Sequence, residues 1–188
     1  MTGPPPPFTP PGCDLRDFAS MFIDIARLFN SEFHATANAE QWRAGVTLWL
    51  KSWHQVPAAS LPAGDVPLAR LAELGTDIRA WRRVRDVALQ GWILCADGRL
   101  YHRVVAEKAL EAYLGKLAQR LASGAGNASR WDTGFDPTPI RLEIEATATM
   151  LLAIAPHSGS LAKARRSLSR RTPDGSPDGT ASGSGGGA

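Results

Sequence analysis

Between two short β-rich runs, Trp92-Ile93-Leu94-Cys95 and Leu100-Tyr101-His102-Arg103-Val104, the chain reads Ala96-Asp97-Gly98-Arg99. Asp-Gly in that setting predicts a tight hairpin, because both central residues of a type I′ turn take positive φ, which glycine adopts freely and aspartate tolerates. A two-residue turn pairs Cys95 with Leu100 and Leu94 with Tyr101. So short a ribbon is not stable alone. It must pack on its surroundings, and the residues before it read as helices.

Asn38 is a good N-cap with Gln41 three residues on, as in a capping box, and Trp42, Val46, Trp49, Leu50 and Trp53 follow at helical spacing. Residues 56–64 hold two prolines and read as a loop. Asp65 then caps a second helix with Pro67 in its first turn, a stripe of Leu68, Leu71 and Leu74, and Gly75 as its stop. A third helix starts at Thr76 or Asp77 and runs to about Leu89, with Ile78, Trp81, Val84 and Ala88 on one side. Helix, glycine-containing turn, helix and hairpin together give the expected fold: mainly α (α+β), a winged helix-turn-helix with a two-stranded β-hairpin wing, over residues 14–122.

The rest of the chain is less regular. Residues 1–13 carry six prolines and read as an extended, poorly ordered arm. Residues 18–33 are dense in apolar side chains with a mixed period, read as an extended entry and a short helix. A long helix is expected over about 105–121, then a glycine-, serine- and proline-containing linker at 123–139. A further helix or a marginal segment follows at 140–156, and residues 157–188 read as a disordered tail, first basic and then glycine-rich. One core fits 188 residues. Cys13 and Cys95 do not make a disulfide framework, no leader-like start is seen at Pro4–Pro7, and no apolar run reaches about 18 residues, so the expectation is a cytoplasmic protein outside the membrane.

A net charge of +3 and a pI near 9.2 suit a polyanionic partner but also many others, so distribution matters more than sum. Arg79, Arg82 and Arg83 fall on the side of the third helix opposite Ile78, Trp81 and Ala88, where such a helix meets the major groove. Arg99 at the hairpin turn and Arg103 on its returning strand stand where a wing touches the DNA backbone. Lys163, Arg165, Arg166, Arg170 and Arg171 form a second basic cluster suited to sequence-independent attraction. The ordinary alternatives stay open: a solvated helix face that Asp86 dilutes, a ribbon that only covers the core, and a solubilising tail. Trp42, Trp49, Trp53 and Trp81 read as core, which leaves Trp131 as the exposed ring. His34, His54, His102 and His157 lack partners at metal-ligand spacing, and no phosphate loop or catalytic set is apparent; neither enzymatic activity nor a cofactor or metal is expected.

The runs Asp24-Ile25-Ala26-Arg27-Leu28, Leu48-Trp49-Leu50-Lys51-Ser52-Trp53-His54-Gln55-Val56-Pro57-Ala58-Ala59-Ser60-Leu61-Pro62, Trp81-Arg82-Arg83-Val84-Arg85 and Gly91-Trp92-Ile93-Leu94-Cys95-Ala96-Asp97-Gly98-Arg99-Leu100-Tyr101-His102 resemble the YdaU-like family of phage and prophage proteins. The resemblance spans about Asp14 to Gly115. That family is a domain of unknown function, similar to winged-helix replication proteins and often encoded beside helicase loaders. The resemblance implies a role in phage DNA replication initiation, with DNA, duplex first, and a helicase loader or helicase as partners. It supplies no catalytic residues. The competing reading is an adaptor that contacts only proteins, favoured if the arginines of the third helix are packed or ion-paired.

Overall fold

The computed structural model describes residues 3–131 and 134–169. In chain order the elements are α1 (Ile25–Phe29), α2 (Glu32–Thr36), α3 (Ala39–Trp53), β1 (Ser60–Pro62), α4 (Asp65–Leu71), α5 (Ile78–Ala88), β2 (Trp92–Leu94), β3 (Arg99–His102), α6 (Arg103–Trp131), α7 (Thr138–Ile154) and α8 (Gly159–Ser169). The molecule is mainly helical with one small antiparallel sheet of order β1-β3-β2. The capping box of α3 forms as its sequence predicts: Asn38 Oδ1 accepts from the Gln41 N–H and Gln41 Oε1 from the Asn38 N–H, both at 2.9 Å.

Two apolar clusters hold the chain. One joins α3, β1, α4 and α5 through Leu48, Leu61, Leu68, Trp81, Val84 and Ala88. The other joins α6, α7 and α8 through Leu110, Leu117, Ile144, Leu151 and Ala164, and also takes in Cys13, Leu15 and Trp53. The end of α3 therefore serves both. Burial of Cys13 pushes its thiol up to about 12.

The sheet has three strands rather than two, because residues 60–62, read as loop, pair with β3: Ser60 with Tyr101, Leu61 with Leu100 and Pro62 with Arg99. Pro62 lacks an N–H but sits on an edge strand, where that is tolerated. The hairpin register is also one residue from the expected one, pairing Leu94 with Leu100 and Ile93 with Tyr101. The turn explains the shift. Gly98 has φ +76° but Asp97 is not left-handed, so the loop is the three residues 96–98 instead of a two-residue turn. Gly98 N–H donates to the Cys95 carbonyl and Cys95 N–H to the Arg99 carbonyl, each at 2.9 Å. The Asp97 carboxylate accepts from the Arg99 N–H at 3.1 Å and the Tyr101 hydroxyl at 2.7 Å. A one-residue slip exchanges the faces of a strand. Here Arg99 and Tyr101 share one face, and Leu100 and His102 the other.

The proline-rich arm is packed, contrary to expectation. Pro5 accepts at its carbonyl from the Ala96 N–H at 2.9 Å, the Phe8 ring lies 6.1 Å from that of Tyr101, and buried Thr9 donates to the Ala58 carbonyl at 2.7 Å. The Tyr113 hydroxyl and Lys116 Nζ meet the carbonyls of Gly12 and Asp14 at 2.9 and 2.8 Å. Proline has its φ already fixed and keeps its carbonyl as an acceptor, so ordering such a segment costs little chain entropy.

Residues 123–131, read as linker, continue α6, and residues 159–169, read as disordered, form α8. Gly124, within that expected linker, is where the Phe135 ring rests, and a Cβ there would stand 2.2 Å from that ring. In α8, Leu161, Ala164 and Leu168 recur at helical spacing and pack on the α6–α7 cluster, while Arg141 Nη1 donates to the Leu168 carbonyl at 2.7 Å. Packing of that stripe orders a segment whose composition argued for disorder. No helix among the described residues is long and apolar enough to cross a membrane.

Candidate nucleic-acid interface

The helix carrying the arginines is fixed from within. Asp77 Oδ1 caps α5 by accepting from the Ala80 N–H at 2.9 Å, and Trp81, Val84 and Ala88 are buried against α3 and α4. Asp65, expected as a cap, is instead the first residue of α4, with Gly64 in the cap position. Its carboxylate ties the two helices. Trp81 Nε1–H donates to Asp65 Oδ1 at 2.9 Å, Arg85 Nε donates to the same oxygen at 3.1 Å, and Arg82 Nε lies 3.8 Å from Oδ2. The Trp81 hydrogen bond first, then the charge of Arg85, hold the Asp65 carboxyl below its ordinary range against the opposing effect of desolvation.

This tie consumes Arg85 and leaves the outer face cationic. Arg79 and Arg83 are exposed and take part in no ion pair among the described residues, and the Arg82 side chain is 70% exposed. Asp86, which diluted the stripe in the sequence, pairs with Arg85 Nη1 at 3.2 Å. Arg70, in the last turn of α4, is exposed as well. Sequence reasoning placed the three outward arginines on one helix face. It missed the Asp65–Trp81–Arg85 tie, for which the only signal is an acid at the start of one helix and an indole one turn into the next.

The hairpin arginines are placed differently. Arg99 is half-buried and turns back across the sheet, its Nε donating to Ser60 Oγ at 2.8 Å and its Nη2 reaching Gln55 Oε1 at 3.5 Å. Arg103 is the first residue of α6, off the strand, and its Nη2 reaches the carbonyls of Ala153 and Ile154 at 3.4 and 3.5 Å, at the C-terminal end of α7. Neither extends from the loop at 96–98. Lys163, Arg165 and Arg166 are exposed on α8, which packs on α6 and α7, whereas α5 packs on α3 and α4. Arg170 and Arg171 lie outside the described residues.

Of the indoles, Trp53 and Trp81 are buried and Trp131, at the end of α6, is 70% exposed. Among the described residues no group of three or more His, Cys, Asp or Glu side chains is arranged to hold a metal ion. No family model, curated protein or solved structure matches the chain.

Proposed function

We propose that this chain is a winged-helix protein that binds duplex DNA through α5, akin to the YdaU-like phage and prophage proteins and acting in replication initiation. The order α3-β1-α4-α5-β2-β3 with sheet order β1-β3-β2 supports a winged helix, α4 and α5 forming its helix-turn-helix. The observation that carries the reading is the outward trio Arg79, Arg82 and Arg83, left nearly unpaired while Arg85 and Trp81 take Asp65. A long basic side chain with no internal partner is available to phosphate oxygens or to the O6 and N7 of guanine.

The wing contributes shape more than charge, since Arg99 and Arg103 are engaged internally. Lys163, Arg165 and Arg166 on α8 add a second, sequence-independent attraction. Binding of a fluorescent duplex by the full chain tests the reading. Replacing Arg79, Arg82 and Arg83 with alanine is expected to weaken binding while leaving the helical signal unchanged, because alanine favours helix and none of the three is buried. Equal affinity of a folded variant rejects α5 as the interface.

The adaptor reading, with a helicase loader or helicase as partner, draws on a different surface: Phe22, Ile25 and Phe29, which are 82%, 67% and 55% exposed around α1.

A further inference from the structure

Away from α5, the segment containing α1 and α2 lies beside the end of β3 and the start of α6 and leaves a half-open cavity of about 450 Å³, a size that takes a small molecule. Its walls are largely apolar: Met21, Phe22, Ile23, Leu28, Phe33 and Val105. Trp49 and His102 also line it, with ring centroids 5.2 Å apart, and Trp92 lies 5.5 Å from His102 on another side.

These rings carry an unusual feature. Trp49 Nε1, Trp92 Nε1 and His102 Nδ1 are buried, yet none has a hydrogen-bond partner among the described residues. Buried polar atoms are nearly always paired, so three unpaired ones around one histidine mark this wall as polar beneath its apolar lining, and two of them belong to cavity-lining residues. His102 itself is only 9% exposed and is pressed on Gly91, where a Cβ would stand 2.7 Å from Nε2. Desolvation, with the charge of Arg27 as a second cause, lowers its pKa to about 4, so the imidazole is neutral and the Arg27 field reaches it.

The charged lining is Arg27, Arg103 and Lys108 against Asp24 and Glu32. Asp24 already caps α1, accepting from the Arg27 N–H at 3.0 Å, and Arg27 spends one nitrogen, Nη1, on Glu107 at 2.9 Å. The remaining guanidinium donors favour an acceptor that carries negative charge.

We propose that this cavity binds a small amphipathic acid, its carboxylate accepting from the free donors of the Arg27 guanidinium and its acyl or aryl body lying against Met21, Phe22 and Ile23. Titration calorimetry on the full chain at pH 7 and low salt, with decanoate, decan-1-ol and decyltrimethylammonium as probes, tests this independently of DNA binding. Decanoate is expected to bind one per chain, at least about tenfold more tightly than either of the other two. Arg27→Gln removes the guanidinium and should weaken decanoate by at least about tenfold, the worth of one hydrogen bond to a charged group. Leu28→Trp fills the cavity from α1, a helix with no fully buried residue, and should weaken it by at least about tenfold while circular dichroism stays unchanged. No saturable binding, equal affinity for the alcohol or the cation, or full affinity in a folded Leu28→Trp variant each overturns the assignment.

Discussion

Arginines on α5 and the two that flank β3, Arg99 at its start and Arg103 just past its end, lie within 25 residues of one another, yet they are used in opposite ways. Arg79 and Arg83 have their nearby acids taken by Arg85, Trp81 and the α5 cap and make no ion pair among the described residues, while Arg82 keeps only a long one, 3.8 Å to Asp65. Arg99 and Arg103 face uncommitted acceptors, a serine hydroxyl and a glutamine amide for one and the carbonyls ending α7 for the other, and fold back onto them. The difference teaches that a guanidinium is offered to a partner only where the fold has left it no acceptor of its own.

The comparison is sharpened first by attacking what holds α5 in place. Trp81 is fully buried and also donates to Asp65, so Trp81→Ala should cost about 3–5 kcal/mol of stability, read from urea unfolding. A loss below about 1 kcal/mol would mean that α5 is not anchored by its inner face.

The second test concerns pH. His102 has a folded-state pKa of about 4 against an ordinary value of 6.5, so between these the unfolded chain binds the extra proton. Its contribution is complete above pH 6.5 and is lost as pH falls toward 4, up to about 3 kcal/mol in all. The shifted carboxylates Asp65 and Glu107 act in the same direction at lower pH. Denaturant midpoints at pH 4.5 and 6.5 should therefore differ more in the natural chain than in His102→Gln, and equal differences would remove the buried neutral imidazole from the account.

A smaller effect is expected at the loop. Gly98 has φ +76°, so Gly98→Val should cost about 1–2 kcal/mol, a few degrees in Tm, although a Cβ there meets no neighbour. The smallest pair bears on the comparison itself: Arg99→Ala should lose about 1 kcal/mol with its hydrogen bonds to Ser60 and Gln55, and Arg83→Ala less than about 0.5 kcal/mol. Equal losses in thermal melts would erase the distinction between the two groups.

The existence of α3, α4 and α5 was legible because their apolar spacing and the Asn38–Gln41 box act locally, but the ends of α4 were not: Gly64 stands in its cap position and it ends at Leu71, short of Leu74 and Gly75. The hairpin's existence was legible from Asp97-Gly98, but its register was not, because Asp97 is held by Arg99 and Tyr101 after the chain has folded back. The arm at 3–13, the far end of α6 and α8 were misread for one reason: proline, glycine and serine signal disorder locally, while the contacts that order them come from distant residues such as Ala58, Ala96 and Phe135. The outward direction of Arg79, Arg82 and Arg83 follows from helical geometry alone. The fates of Arg99 and Arg103 do not, since their acceptors at 55, 60, 153 and 154 lie far along the chain.

The central claim is that α5 meets DNA phosphates or bases through the three outward arginines Arg79, Arg82 and Arg83. It is tested most directly by measuring affinity for a duplex about 20 base pairs long across a series of salt concentrations, for the natural chain and for Arg79→Ala/Arg82→Ala/Arg83→Ala. The account predicts a steep decline of log affinity with log salt in the natural chain. In the variant the slope should shrink by about 0.9 for each phosphate contact removed, or, for a base-edge contact, affinity should drop by about 1–3 kcal/mol with less change of slope. Superimposable salt curves from two equally folded proteins would contradict it.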